Sequence, residues 1–194
     1  MLQALRFLVD TFFGLLTYAF LARFMMQVLR APFRNPVGPA VMALTDWAVK
    51  PVRRIVPGLR GVDWTTLLLA WISQWLWLLA VAYLGGTPFS APVIGFFALF
   101  AILELVKAAI WILIIAVIVQ AILSWVAPDG PLSGLLNALT FRFLAPIRRR
   151  VPPIGGTLDL SPLILIVVAQ LILMLPIRWI EGQLILLLNA TFTL

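Results

Sequence analysis

The sequence predicts an all-α membrane protein with four transmembrane helices, built from two tandem helix-loop-helix repeats. Of the 194 residues, 63% are hydrophobic and only 11% are charged, whereas an average soluble domain is roughly half apolar and a quarter charged. A chain of this size buries only about 70% of its surface on folding. The excess apolar surface is therefore expected to face lipid.

Four stretches are long enough to cross a bilayer, which needs about 20 apolar residues to cover ~30 Å of hydrocarbon. The predicted spans lie at about 11–29, 64–84, 108–126 and 160–175, and Pro176 is expected to end the last one. Asp10 and Arg23 interrupt the first run, so it is interpreted as a retained span and not as a signal peptide. Residues 93–103 either extend the third helix or form an interfacial helix. Residues 177–194 are expected to lie along the interface, with a fifth crossing as the alternative.

The chain contains an internal repeat with an offset of about 95 residues, which divides it into units 1–92 and 93–194. Each copy has proline, an arginine block, proline, glycine and aspartate, in that order. Eleven residues after the aspartate, each copy has a glutamine. The matching residues are Pro51, Arg53, Arg54, Pro57, Gly61, Asp63 and Gln74 in the first copy, and Pro146, Arg148, Arg149, Arg150, Pro152, Gly156, Asp159 and Gln170 in the second.

Basic residues predict the orientation, because 10 of the 14 lie in the loops that follow the first and third spans. By the positive-inside rule these loops face the cytoplasm of a bacterial inner membrane, and both termini face outward. Apolar stretches at 41–49 and 135–144 precede the arginine blocks and predict short interfacial helices in these loops. Pro51 and Pro146 are expected to end those helices.

Composition excludes several classes of chemistry. The chain has no His and no Cys, so zinc sites, thiolate or imidazole catalysis, iron–sulfur clusters, His-ligated haem and disulfides are excluded. We expect no catalytic residue, no metal and no cofactor. The net charge of +7 lies among apolar segments, which favours an anionic lipid surface over nucleic acid as the partner.

Two groups of loop residues are candidates for function. The arginines of the two blocks, namely Arg53, Arg54, Arg148, Arg149 and Arg150, predict a docking site for anionic lipid or for an acidic partner; alternatively they only set the topology. Asp63, Asp159 and Ser161 precede apolar runs and are predicted helix caps. Each aspartate also has the option of pairing with an arginine of its own loop.

Polar residues at membrane depth form the third candidate group. Arg23, Gln74, Gln120 and Gln170 are predicted to form an intramembrane polar cluster that lines a pathway or a small-ligand site. The alternative is that Arg23 extends toward the interface and that the glutamines hold helices together by hydrogen bonds.

The twofold occurrence of Pro-x-Arg-Arg, Pro, Gly and Asp in a small four-span chain resembles the YggT family of bacterial inner-membrane and plastid proteins. The resemblance covers roughly 12–84 and 108–175. Asn35 and Pro36 match a family Asn-Pro, and Arg23 matches a family arginine that Gln120 replaces in the second copy. The resemblance implies links to haem attachment to a membrane cytochrome in plastid relatives, and to cell division, nucleoid distribution or osmotic tolerance in bacterial ones. It implies no catalytic mechanism.

These observations favour a non-enzymatic accessory subunit, scaffold or assembly factor for other inner-membrane proteins. The expected partners are anionic lipids, other membrane proteins and a second copy of the chain. Two alternatives are a component of a channel or transporter, and an organiser of anionic lipids.

Overall fold

The computed structural model describes residues 1–56, 58, 62–152 and 159–192. These residues form helices and no β-strand. Within them, four helical stretches are long and apolar enough to cross a membrane, at 2–28, 64–84, 91–126 and 161–188, which confirms the predicted all-α, four-span fold. The elements are α1 (Leu2–Val28), α2 (Val37–Val52), α3 (Trp64–Leu84), α4 (Ala91–Val126), α5 (Ser133–Arg150), α6 (Ser161–Ile172), a π-helical segment (Leu173–Ile177) and α7 (Arg178–Phe192).

The first and third helices are longer than predicted. Helix α1 begins at Leu2, nine residues before the expected start of the span. Helix α4 is continuous over 36 residues, a length of about 54 Å at 1.5 Å per residue. Residues 93–103 are therefore part of the third span helix and do not form a separate interfacial helix.

The prediction that Pro176 ends the last span was wrong. Helix α6 continues through the π-helical segment, which contains Pro176, directly into α7. Proline removes one N–H and crowds the preceding turn, and the wider π turn accommodates that defect without ending the helix. Helix α7 packs beside α4, where Lys107 Nζ lies 3.6 Å from Glu181 Oε1. Residues 178–192 thus continue the fourth helix, and the placement of this segment along the membrane interface stays a prediction.

Pro51 and Pro146 also lie inside helices, contrary to the prediction that they end them. Helix α2 continues to Val52, and α5 continues to Arg150, so that Arg148, Arg149 and Arg150 form its last turn. Tertiary packing holds the preceding turns, since Val49 and Leu144 are both 0% exposed. Their burial outweighs the one hydrogen bond that each proline removes.

Helices α2 and α5 are amphipathic and pack against the ends of the spans. Their buried residues recur three and four positions apart, which places them on one helical face. In α2 these residues are Gly38, Val41, Thr45, Ala48 and Val49, and in α5 they are Leu135, Leu136, Leu139, Thr140 and Leu144. The α5 face contacts Met26 of α1 and Ala116 of α4 in one apolar cluster. The two loop helices are thereby fixed to the bundle.

Polar side chains connect α1 and α3 along their length. Trp77 Nε1 donates to Asp10 Oδ1 at 2.7 Å, and Thr17 Oγ1 donates to Ser73 Oγ at 3.2 Å. The third contact, at the other end of the helices, joins Gln27 Nε2 to Asp63 Oδ2 at 3.4 Å. The two helices are therefore held together by directional bonds at three levels.

Tryptophans connect α3 to α4. Trp71 Nε1 donates to the Ala98 carbonyl at 2.9 Å, and Trp75 Nε1 donates to the Ile94 carbonyl at 3.1 Å. The two indole rings stack with centroids 5.3 Å apart. These tryptophans hold neighbouring helices together at depth, and Trp77 does the same toward α1.

The turns after α1 and α3 have the same backbone hydrogen bonds, but a different residue occupies the position with positive φ in each turn. After α1, the Arg30 N–H donates to the Gln27 carbonyl and the Ala31 N–H to the Met26 carbonyl, with Arg30 at φ 55°. After α3, the equivalent residue is Gly86 at φ 79°. Glycine is preferred at this left-handed position because a Cβ is disfavoured there. Arg30 therefore occupies a strained position.

Candidate functional site

The candidate site is the end of the bundle where α1 and α4 finish and where α3 and α6 begin. We call this end the arginine face, because it carries Arg53, Arg54, Arg148, Arg149 and Arg150. The loop helices α2 and α5 lie across it. Some of its polar groups are fixed by hydrogen bonds, and others are exposed.

Arg23 fixes α2 to α1. Its side chain is buried at 6% exposure, and Nη1 donates to Thr45 Oγ1 at 2.6 Å and to Asp46 Oδ1 at 2.7 Å. The other oxygen of Asp46 lies 2.9 Å from Lys50 Nζ. Hydrogen bonds from Lys50 and from Arg23 hold the pKa of Asp46 below its ordinary value. The carboxylate is therefore the ionised counter-charge of a buried guanidinium.

Gln120 fixes α5 to α4 in the same manner but without charge. Its side-chain oxygen is hydrogen-bonded to the hydroxyl of Thr140, which is fully buried and also lies 2.8 Å from the Leu136 carbonyl. Thr45 makes the corresponding bond to the Val41 carbonyl at 2.6 Å. The positions correspond between the predicted repeat units, with glutamine replacing arginine in the second unit.

Two ion pairs, which we call the clamp pairs, join each arginine block to the start of the following span. The first clamp pair is Arg53 with Asp63, through Nη2 and Oδ2. The second is Arg148 with Asp159, in which Nε and Nη2 both lie 2.8 Å from Oδ2. Each aspartate thus pairs with an arginine of its own loop.

The predicted cap roles differ in detail from the structure. Asp63 occupies the N-cap position of α3, but its carboxylate makes no cap hydrogen bond and binds Arg53 instead. Asp159 Oδ1 accepts the backbone N–H of Ser161 at 2.9 Å. Ser161 is the first residue of α6 and not its N-cap. The stronger attraction of a guanidinium explains why Asp63 turns away from the helix N–H groups.

Both clamp aspartates are held in the ionised form. Burial by itself raises the pKa of Asp63, but the hydrogen bond and charge of Arg53 outweigh it and keep the pKa below its ordinary value. For Asp159, burial is likewise outweighed, here by hydrogen bonds from Ser161 and Arg148, and its pKa is also lowered. The clamps therefore remain charged at neutral pH.

The remaining arginines of the blocks make no ion pair within the described part of the chain. Arg54, Arg149 and Arg150 are exposed, and their guanidinium groups point to no described carboxylate within 4.0 Å. In each block one arginine is fixed by an aspartate, and the others have no acidic partner among the described residues. Of the five predicted docking residues, these three are therefore the ones whose guanidinium groups remain available to a ligand or partner.

The four polar residues at depth do not form one hydrogen-bonded cluster in the described residues. Gln74 lines a cavity of about 280 Å³ near the opposite end of the bundle, together with Asp10, Glu104 and Lys107. Arg23 and Gln120 instead hold the two loop helices, as described above. Gln170 is half-buried on α6 and makes no side-chain hydrogen bond to any described residue.

Sequence reasoning missed Thr45, Asp46 and Thr140 as partners of the polar residues in the spans. The two threonines were detectable from the sequence, because Thr45 and Thr140 occupy equivalent positions in the internal repeat. They are 95 residues apart, as are the arginine blocks. Each threonine also lies on the apolar face of an amphipathic helix, where a buried hydroxyl needs a partner.

Comparison with known proteins identifies the family. The model of the CCB3/YggT family matches residues 2–84 and 99–180. An uncharacterized protein in the proC 3′ region of Vibrio alginolyticus is 35% identical over 173 residues, which cover 87% of this chain and 91% of that protein. The uncharacterized protein YggT of Escherichia coli K12 is 33% identical over 173 residues, covering 88% of each chain.

A third relative, an uncharacterized protein of Pseudomonas aeruginosa, is 32% identical over 174 residues, covering 89% of this chain and 87% of that protein. No solved structure matches the chain. The family model and these relatives cover most of the chain and confirm the resemblance drawn from the arginine motifs. The protein belongs to the CCB3/YggT family.

Proposed function

We propose that this protein is a non-enzymatic, multi-pass protein of the bacterial inner membrane that acts as an accessory subunit, scaffold or assembly factor for other membrane proteins. Its arginine face lies on the cytoplasmic side, and its partners are other inner-membrane proteins, anionic lipids and a second copy of the chain. The two predicted repeat units, 1–92 and 93–194, each contribute one half of the arginine face, on which these partners dock.

The observation that supports this proposal is that the arginines within each block differ in their contacts. One arginine of each block is fixed to the following span by a clamp pair, while Arg54, Arg149 and Arg150 stay exposed and without a described acidic partner. The loop helices beneath them are held by Arg23 and Gln120. Free guanidinium groups on a rigid support bind carboxylates or phosphates at little conformational cost.

Co-purification after crosslinking in intact cells tests this function. The wild-type chain, solubilised in mild detergent, is expected to carry a reproducible membrane-protein partner. The double variant Arg54→Gln with Arg149→Gln is expected to lose it. The control is Arg6→Gln with Arg178→Gln, which removes the same charge from the opposite end of the bundle. A chain that runs alone under every crosslinking condition would refute the proposal.

A second candidate, an organiser of anionic lipid, is favoured by exposed aromatic residues on the loop helices of the arginine face. Trp47 on α2 and Phe141 on α5 are exposed at 64% and 57%, and each lies on a loop helix of the arginine face. Aromatic side chains next to basic ones are typical of helices at a membrane interface. Retention of anionic lipid by the purified chain, measured by mass spectrometry, is expected to fall in Arg54→Gln with Arg149→Gln if this role is the dominant one.

A further inference from the structure

A cavity of about 450 Å³ opens on the arginine face between the end of α1 and the start of α3. Among the described residues, its polar lining consists of Gln27, Arg30, Arg53 and Asp63. Gln27 is in the last turn of α1, and Asp63 immediately precedes α3. Because both helices are candidate spans, the cavity lies at the depth where lipid headgroups meet water.

Two hydrogen-bond acceptors in this cavity have no donor among the described residues. They are Asp63 Oδ1 and Gln27 Oε1, and both atoms are buried. Asp63 is only 7% exposed, and its other oxygen already binds Arg53 and Gln27. The hydroxyl of the neighbouring Thr65 donates its single proton to the Val56 carbonyl. Buried acceptors are rarely left without a donor, so these atoms point to an occupant that brings one.

The same cavity contains cationic groups with spare donors. Arg30 makes no ion pair or side-chain hydrogen bond with any described residue, and Arg53 uses only Nη2 in its clamp pair. Arg30 also occupies the left-handed position at φ 55°, whereas the equivalent turn after α3 has Gly86. Strained backbone positions of this kind cluster at active sites and ligand-binding sites. Its guanidinium is placed at the rim of the cavity by this turn.

The corresponding cavity of the second unit differs in the partners of its aspartate, because both oxygens of Asp159 are hydrogen-bonded. It has a volume of about 560 Å³ and is lined by Ser124, Arg148 and Asp159, among others. Both carboxylate oxygens of Asp159 are bonded, to Arg148 and to the Ser161 N–H. The Ser124 hydroxyl donates to the carbonyl of Ala121 in its own helix. Among the described residues that line it, the second cavity therefore has no carboxylate or amide oxygen without a donor; the buried Ser161 hydroxyl next to Asp159 has no partner, but Ser161 is not one of the lining residues.

We propose that the cavity of the first unit binds the headgroup of an ethanolamine phospholipid. The phosphate lies against the guanidinium of Arg30 and the free donors of Arg53. The primary ammonium group donates to Asp63 Oδ1 and Gln27 Oε1. Such a headgroup supplies an anion for the arginines and N–H donors for the buried acceptors at once.

Other headgroups satisfy only part of this site. Choline has a quaternary nitrogen without any N–H, so it leaves both acceptors unpaired. Glycerol hydroxyls are neutral donors and form weaker bonds to a carboxylate than an ammonium does. The inference does not rest on the proposed scaffold role, because binding of a headgroup in this cavity does not require a protein partner.

Native mass spectrometry of the full chain, extracted from nanodiscs of equal parts of ethanolamine, N,N-dimethylethanolamine, choline and glycerol phospholipids, tests the proposal. The expected order of retention follows the number of N–H donors, with ethanolamine retained about tenfold over choline. Equal retention of the ethanolamine and choline lipids, or preference for the glycerol lipid, would overturn it.

Variants locate the site. Gln27→Leu is expected to reduce ethanolamine-lipid retention about tenfold, while the matched change Ser124→Ala in the second unit leaves it unchanged. Arg30→Gly removes the guanidinium and places the preferred residue at the left-handed position, so it is expected to lose retention without losing thermal stability. If Ser124→Ala lowers retention as much as Gln27→Leu, the assignment to this cavity is wrong.

Soluble glycerophosphoethanolamine separates the two sources of the same headgroup. It is expected not to displace the lipid at millimolar concentration, because it lacks the acyl chains that anchor the headgroup at this depth. Full displacement would overturn the assignment to a membrane lipid.

Discussion

The buried ion pair between Arg23 and Asp46 makes an asymmetric prediction for mutation of its two members. Asp46→Ala leaves the guanidinium of Arg23, 6% exposed, with only the Thr45 hydroxyl as a partner. Removal of one partner from a buried pair costs about 3 kcal/mol or more. Arg23→Leu removes the buried charge itself, while Asp46 keeps Lys50 at 2.9 Å and Thr45 keeps the Val41 carbonyl at 2.6 Å. Its expected cost is about 0–1 kcal/mol.

Thermal unfolding in detergent, followed by the fluorescence of the eight tryptophans, measures this difference. For a chain of this size 1 kcal/mol corresponds to roughly 2–4 °C, so Asp46→Ala is expected to lower the melting temperature by about 6–12 °C. The double variant with Arg23→Leu is expected to recover most of that loss. Lys50→Ala is the control, because Lys50 is 75% exposed and its pair is worth less than about 1 kcal/mol. Equal losses for Asp46→Ala and Arg23→Leu would refute the reasoning.

Three further predictions concern the loops. The aspartates of the clamp pairs have lowered pKa values in the folded protein, so their contribution to stability is complete above the unfolded value of about 4 and is lost as the pH falls through the folded pKa. The melting temperature is therefore expected to be constant from about pH 7 to 5 and to fall below about pH 4, and a flat profile there would contradict this. Gly38→Ala would place a Cβ 2.0 Å from the Phe33 carbonyl oxygen and is expected to cost about 2 kcal/mol. Gly14→Ala, with no atom within 4 Å, is the control in the same unfolding assay and is expected not to lower the melting temperature, because alanine favours a helix interior over glycine. Asn35 accepts the N–H groups of Val37 at 2.8 Å and of Gly38 at 3.0 Å, so Asn35→Ala is expected to cost about 1 kcal/mol and Asn35→Asp to cost less.

The spans could be predicted because their signals are local. Helix α3 begins at Trp64 and ends at Leu84, as expected, because the uncharged apolar run starts at Trp64 and two glycines follow Leu84. The ends assigned to Pro51, Pro146 and Pro176 were wrong for the opposite reason. The rule that proline ends a helix is local, whereas the burial of Val49 and Leu144 and the π-helical turn around Pro176 depend on tertiary packing.

The polar contacts of the candidate site were only partly predictable. The pairing of each aspartate with its own loop arginine was within reach, since the residues are ten or eleven positions apart. The contact of Arg23 with Asp46 was not, because it depends on which face of α2 packs against α1. Likewise, the unpaired acceptors of Gln27 and Asp63 become visible only when the end of one span and the start of the next are seen side by side.

The three polar bridges between α1 and α3 make the two halves of the bundle mechanically unequal. For α3 to slide along α1 by one residue, the bonds at Asp10, Thr17 and Gln27 must break together. Between α4 and α6, the described residues show apolar contacts, such as those of Val117 and Leu165, and no side-chain hydrogen bond. Apolar contacts are non-directional and tolerate a change of register. Helices α1 and α3 are thus the more rigid pair, and a change of register is expected between α4 and α6, limited at the far end by the Lys107–Glu181 ion pair.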